Sequence, residues 1–167
     1  MKRRLMECWK AGENMSDLIC KELCADEIPS ALSLAWEVFQ VFDAPDYSEK
    51  GIEEFHRCLK DSAFCSSCRF FGAYSQGNLV GMIATCQNNT HIALFFVKQQ
   101  FQRRGIGCCL LNEVLQRNTT GSMTVNSSPM AVPIYHKYGF FDTAPEQLQN
   151  GIRYTPMRLD IVNKKKG

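Results

Sequence analysis

The sequence predicts an α+β domain, with a mixed, mostly antiparallel central sheet of about six to seven strands flanked by about four helices. Three observations carry this reading. Short aromatic and β-branched runs follow one another through residues 69–97 with only turn residues between them, which makes an antiparallel meander. A basic loop with two glycines then leads into a segment of helical period. Beyond it, strand-like runs at 122–126 and 152–161 flank a short helix that ends at Gly139.

Taken in order, residues 1–14 show no clear period and read as an N-terminal extension. The codons for Gly12-Glu13 can spell a purine-rich ribosome-binding sequence just ahead of Met15. The segment is therefore either a translated leader in a bacterial gene or a flexible arm. Residues 15–163 form a single domain, and 164–167, with three lysines, a basic tail. Asp17 to Leu23 suits a first strand. Ala25 to Pro29 opens a helix with acids and proline in its first turn, and Leu32, Ala35, Trp36, Phe39 and Val41 carry it to about Phe42. Asp43-Ala44-Pro45-Asp46 breaks it, and Ser48 caps a second helix near Ile52 to Lys60. Arg69 to Ser75 and Asn78 to Gln87 form a hairpin across Gln76-Gly77. The Asn88-Asn89-Thr90 turn leads to the strand His91 to Phe96. After the glycine loop, Ile106, Leu110 and Val114 keep a spacing of four along a helix to Gln116. Ser122 to Asn126 is another strand. Ser128, with Pro129 behind it, caps a short helix carrying Ala131, Ile134, Tyr135 and Tyr138. Phe140-Phe141 and Ile152 to Ile161 are the last strands, joined by a polar loop that contains Asn150-Gly151.

Composition narrows the class. A chain of 167 residues, 45% hydrophobic and 22% charged, fits one globular core. No apolar run approaches the ~20 residues that cross a bilayer, and the charged start is not a secretory signal. A cytoplasmic protein with no membrane partner is expected. Net charge is +2, but four of the basic residues lie in 1–14 and three lysines in the tail; the remaining body holds 12 basic against 15 acidic residues. A body of that sign does not predict a nucleic-acid partner. The nine cysteines read as reduced thiols. Cys65-Ser66-Ser67-Cys68 resembles a metal or redox pair only in spacing. His56 and Cys58 point about 200° apart on a helix and cannot share an ion with it, and the pair precedes a strand. Free thiols in a loop are expected, and no metal.

The chemistry is concentrated between Val97 and Gly107. Free amides at a helix start, the helix dipole, Arg103 and Arg104 together make a site for a diphosphate. It is not a Walker loop, because Cys108-Cys109 follows Gly107. It is not a dinucleotide fingerprint, because Leu110 stands where the third glycine belongs. Gln102 to Gly107 does fit Gln/Arg-x-x-Gly-x-Gly/Ala, and so resembles the acetyl-CoA signature of the GNAT superfamily of N-acetyltransferases. Tyr135-His136-Lys137-Tyr138-Gly139-Phe140 resembles that family's Tyr-x-x-x-Gly-Phe ending, and Gly151 to Met157 looks like the closing strand of its small bacterial members.

The resemblance spans residues 17–161 and implies a GNAT-like sheet and an enzyme that moves an acetyl group from acetyl-CoA directly to a primary amine. It implies that Gln102, Arg103, Arg104, Gly105, Ile106 and Gly107 hold the pyrophosphate, and that the main chains of Phe95, Phe96 and Val97 hold the pantetheine arm. The asparagine many relatives carry seven residues before the tyrosine is Ser128 here, so either Ser128 or Asn126 completes that contact. Tyr135 matches the family's general acid. His91 matches a strand position used for a base, acting directly or through water. Phe42, Tyr47 and Phe55 become candidate walls of the acceptor site. A catalytically silent acyl-CoA-binding module is the alternative. The acceptor, a small-molecule or a protein amine, is left open, as is the oligomeric state, a homodimer included.

Overall fold

The computed structural model describes residues 17–161, so the expectations for residues 1–14 and for the 164–167 tail fall outside the described residues. The strands are β1 (Leu18–Glu22), β2 (Arg69–Ser75), β3 (Asn78–Cys86), β4 (His91–Val97), β5 (Ser122–Ser127), β6 (Phe141–Asp142), β7 (Gln147–Gln149) and β8 (Ile152–Asp160). They form one sheet in the order β1-β2-β3-β4-β5-β8-β6, with β7 pairing on β8. The helices are α1 (Ile28–Phe42), α2 (Glu49–Lys60), α3 (Ser62–Ser67), α4 (Ile106–Gln116) and α5 (Val132–Lys137). The ladders are antiparallel except β4–β5, which is parallel. A parallel pair needs a crossover, and α4 supplies it.

Strand alternation divides the core between the two faces of the sheet. Phe71, Ile83, Ile92 and Met123 meet Leu110, Leu111 and Val114 of α4. Phe70, Met82, Ala84 and Leu94 meet Leu34, Ala35 and Val38 of α1. The predicted hairpin turn at Gln76-Gly77 forms with φ of 50° and 77°, and Asn150-Gly151 repeats it with 53° and 78°. Buried Asn89 accepts from the Thr85 hydroxyl at 2.7 Å and donates to Val114 O at 2.8 Å, tying the turn before β4 to the end of α4.

Four expectations are corrected. The loop expected around Cys65 and Cys68 holds α3, because the Asp61 carboxylate accepts from the amides of Ala63 and Phe64 and caps it. The polar loop before β8 contains β7, whose three residues are all exposed and so give no alternation to detect. Ser128 does not cap α5; that helix starts at Val132, with Pro133 in its first turn. The cysteines are not all reduced. Cys20 turns from edge strand β1 toward the α4 face, and a disulfide joins it to Cys109, across a Cα–Cα distance of 6.5 Å. Cys24, Cys58, Cys65, Cys68, Cys86 and Cys108 are free thiols.

Candidate active site

The site begins where two strands part. β4 and β5 pair only at His91–Thr124 and Ile92–Val125. Just beyond, Ala93 is the extra residue of a bulge, since Ile92 faces Thr85 while Leu94 faces Ala84. From there β4 follows β3, and the edge it would have offered to β5 is left open. The Lys98 amide donates to Val80 O at 2.9 Å, which identifies Gly81–Val97 as a non-hydrogen-bonded pair of the ladder. Phe96 therefore turns its peptide groups to β3, while those of Phe95 and Val97 turn into the split. The Val97 carbonyl accepts from Gln102 Nε2 at 3.0 Å.

The loop after β4 is shaped by its backbone. Arg103 has φ 61° and Gly105 φ 80°, and the helix starts at Ile106. Left-handed residues ahead of a helix start turn successive amides into a concave cluster that suits an anion. Arg103 and Arg104 are exposed beside it, the latter with its guanidinium 5.6 Å from the Phe101 ring centre. A Cβ on Gly107 would overlap the Tyr138 hydroxyl and lie 3.6 Å from Phe95 Cζ. Glycine there lets α5 press against the first turn of α4. Amides bare of side chains and two guanidinium groups fit a diphosphate-bearing cofactor.

Tyr135 is buried, with its ring centre 6.2 Å from that of Phe95 and 5.2 Å from that of Phe140. Burial, helped by Tyr138 and Asp43, pushes its pKa far above that of an ordinary phenol, so it keeps its proton. His91 stands at the closed end of the split, with Nδ1 2.8 Å from Thr124 Oγ1. Burial lowers its pKa, so it is neutral at pH 7. Ser128 donates its hydroxyl to the buried Asp43 carboxylate.

On the α1 side lies a cavity of about 320 Å³, lined by Tyr47, Glu54, Asn126, Gln149, Asn150, Ile152 and Tyr154. The Tyr47 hydroxyl donates to Arg153 O at 3.2 Å, which ties the loop after α1 to β8. Of the three expected wall residues only Tyr47 is there. Phe55 stacks on Phe39 at 3.9 Å, and Phe42 packs into the α1 core. Asn126 lines this cavity. Glu54, Gln149 and Tyr154 line the cavity and were not among the sequence candidates; the Asn150-Gly151 turn was the one local signal that a hairpin reaches this region. Among the described residues no group of three or more His, Cys, Asp or Glu side chains is arranged to hold a metal ion, and no helix is long and apolar enough to cross a membrane.

Residues 43–161 match the family model described as an acetyltransferase (GNAT) domain. No curated protein matches the sequence. Among solved structures, the chain is similar to a GCN5-related N-acetyltransferase from Rhodopseudomonas palustris, at 20% identity over 89% of this chain and 98% of that one, with a TM-score of 0.74. The PaiA N-acetyltransferase of Thermoplasma acidophilum, solved in complex with coenzyme A, is 20% identical over 86% and 98% of the two chains, with a TM-score of 0.63. Spermidine N-acetyltransferase from Vibrio cholerae, solved with CoA and spermine, is 16% identical over 87% and 96%, with a TM-score of 0.57. At these identities the likeness is one of fold.

Proposed function

Because the chain belongs to the GNAT acetyltransferase family, whose members use acetyl-CoA as acetyl donor, we propose that it acetylates a primary amine directly, with Tyr135 as general acid and His91 as base. The observation that carries this reading is the split between β4 and β5. It turns the peptide groups of Phe95 and Val97 into the gap, leads to the glycine loop at one end and has Tyr135 against Phe95. Bound acetyl-CoA supplies the acetyl thioester. Gln102, Arg103, Arg104, Gly105, Ile106 and Gly107 hold its diphosphate, and the peptide groups of Phe95 and Val97 hold its arm and polarise the carbonyl. Asn126 belongs to the acceptor side, together with Tyr47 and Tyr154.

The proton movements fall to two side chains. A primary ammonium has a pKa of ~10.4 and must lose a proton before its nitrogen can attack. Neutral His91 takes that proton through water, with Nδ1 fixed by Thr124 and Nε2 left to act. Tyr135 gives its Oη proton to the departing sulfur. We place the reaction in the cytoplasm.

Turnover of acetyl-CoA with a panel of amines, read by mass spectrometry, tests the activity. Tyr135→Phe is expected to lower kcat by about 10²–10⁴ while leaving the calorimetric Kd for acetyl-CoA unchanged. Equal turnover by the two proteins would remove Tyr135 from the mechanism. Tight binding with no acceptor acetylated would make the chain an acyl-CoA-binding module.

A further inference from the structure

Tyr138 closes α5, three residues after Tyr135, and its amide donates to Ile134 O at 3.1 Å. Its ring is half-buried and stacks on that of Phe95, with the centres 6.3 Å apart and the planes inclined by 25°. The hydroxyl reaches the second residue of α4. It fills the space that a Cβ on Gly107 would need, and the tip of the Phe95 ring borders the same point at 3.6 Å. A side chain that follows β5 thus ends on the helix that follows β4, across the strand split.

That position suits contact with an anion. Every Cα–Cβ bond of a helix leans toward its N-terminus, so a group in the Cβ place of Gly107 lies toward the open end of α4. At that end the first helical bond runs from the Cys109 amide to Gly105 O at 3.0 Å. The amides of Ile106 and Gly107 come before it, without an acceptor in their own helix. Gly105, in the left-handed conformation, occupies the cap position, and no side-chain hydrogen bond caps this end among the described residues. The dipole there favours negative charge. A phenol hydroxyl has a proton to donate, and the stack on Phe95 fixes where it is offered. Arg103 and Arg104 are exposed and supply charge from long, rotatable stems.

We propose that Tyr138 is a cofactor-binding residue: its hydroxyl donates a hydrogen bond to the diphosphate of acetyl-CoA held by the glycine loop, and Gly107 is glycine to admit it. This rests on the acetyl-CoA reading above. Tyr135 and Tyr138 then divide the cofactor between them, the first at the sulfur and the second at the diphosphate. The hydroxyl selects for a carrier that brings phosphates. Pantetheine, which shares the arm and lacks the diphosphate, gains nothing from it.

The test separates the proton of this hydroxyl from its bulk. In a Gly107→Ala/Tyr138→Phe chain the alanine methyl takes the place of the oxygen, and the next atoms stand at 3.6 Å, an ordinary contact. The shape is kept and the hydrogen-bond donor is lost. The full native chain, Tyr138→Phe and the double variant are titrated with CoA by calorimetry, and with pantetheine by displacement of CoA. The Kd for CoA should rise about tenfold or more in both variants, as for the loss of a hydrogen bond to a charged group, while the Kd for pantetheine holds. Gly107→Ala alone should lower Tm, and adding Tyr138→Phe should restore it. Native CoA affinity in either variant, or an equal loss for pantetheine, would make the contact one of packing and overturn the proposal. A double variant no more stable than Gly107→Ala would overturn the placement of the hydroxyl. If Tyr138→Phe does not fold, the double variant, in which the space is filled, decides alone. If the native chain binds no CoA, the acetyl-CoA reading itself falls; if it binds CoA and the variants bind it equally, only this proposal does.

Discussion

Replacing Gly51 by alanine sets two physical effects against each other. Gly51 is the third residue of α2 and is buried. Helix propensity alone favours alanine over glycine by up to about 1 kcal/mol, and less in a first turn. Sterically the exchange is adverse. A Cβ at Gly51 would overlap the carbonyl oxygen of Gly151, a backbone atom in the β7–β8 turn, which cannot swing aside as a side chain would. The approach is mutual, because a Cβ on Gly151 would lie 2.5 Å from Gly51 N and 2.6 Å from Ser48 Oγ. Overpacking of this kind costs about 1–3 kcal/mol. The expected net loss is about 1–2 kcal/mol, or roughly 2–8 °C in Tm for a chain of this size. The same shift would move α2 away from the hairpin and strain the bond from the Tyr47 hydroxyl to Arg153 O. The acceptor KM should therefore rise while the Kd for acetyl-CoA stays constant, since the α4 loop is not involved. Urea unfolding and steady-state kinetics on the same preparations measure both. A Gly51→Ala protein as stable as the native one, or more so, would show that propensity wins and that α2 does not dock so tightly on the turn.

Gly105→Ala places an L-residue at φ 80°; it should lose about 1–2 kcal/mol of stability and bind acetyl-CoA more weakly by calorimetry, and an unchanged Kd would detach this loop from the diphosphate. His91 has its pKa lowered from 6.5 by burial, so kcat/KM should fall as pH drops through that lowered value, and His91→Gln should abolish this acid limb; a limb that persists would put the base elsewhere. The same shift makes the unfolded chain take up the proton first, so stability should also decline as pH falls below about 6.5. Reducing the Cys20–Cys109 bridge, which closes 89 residues, should expose two further titratable thiols and lower stability by up to about 4–5 kcal/mol on loop-entropy grounds; identical denaturant midpoints before and after reduction would argue that the bridge is absent in solution.

The strands and long helices were legible because each is held by a pattern that repeats along its own length. Phe70/Phe71 and Met82/Ile83 alternate between two covered faces, and Ile106, Leu110 and Val114 return every turn to one face. Elements held by single contacts were not legible. α3 depends on one carboxylate, that of Asp61, and β7 on its pairing with β8. The disulfide escaped for a related reason. Its partners lie on an edge strand and a helix, and only the packing of β1 against the α4 face brings them together.

The same contrast divides the two halves of the candidate site. A diphosphate presents the same charge and shape whatever amine is acetylated, and peptide groups can meet it. The requirement on sequence is then local: strand, left-handed residues, glycines and a helix start within Gln102 to Gly107. The acceptor side answers to a ligand of unknown shape and must do so with side chains. They come from the loop after α1 (Tyr47), α2 (Glu54), the end of β5 (Asn126) and the β7–β8 hairpin (Gln149, Tyr154). No two of these segments share a period, so no window of sequence contains the pattern. Specificity in such a fold is best sought in the side chains gathered around the split, and the donor in the backbone that forms it.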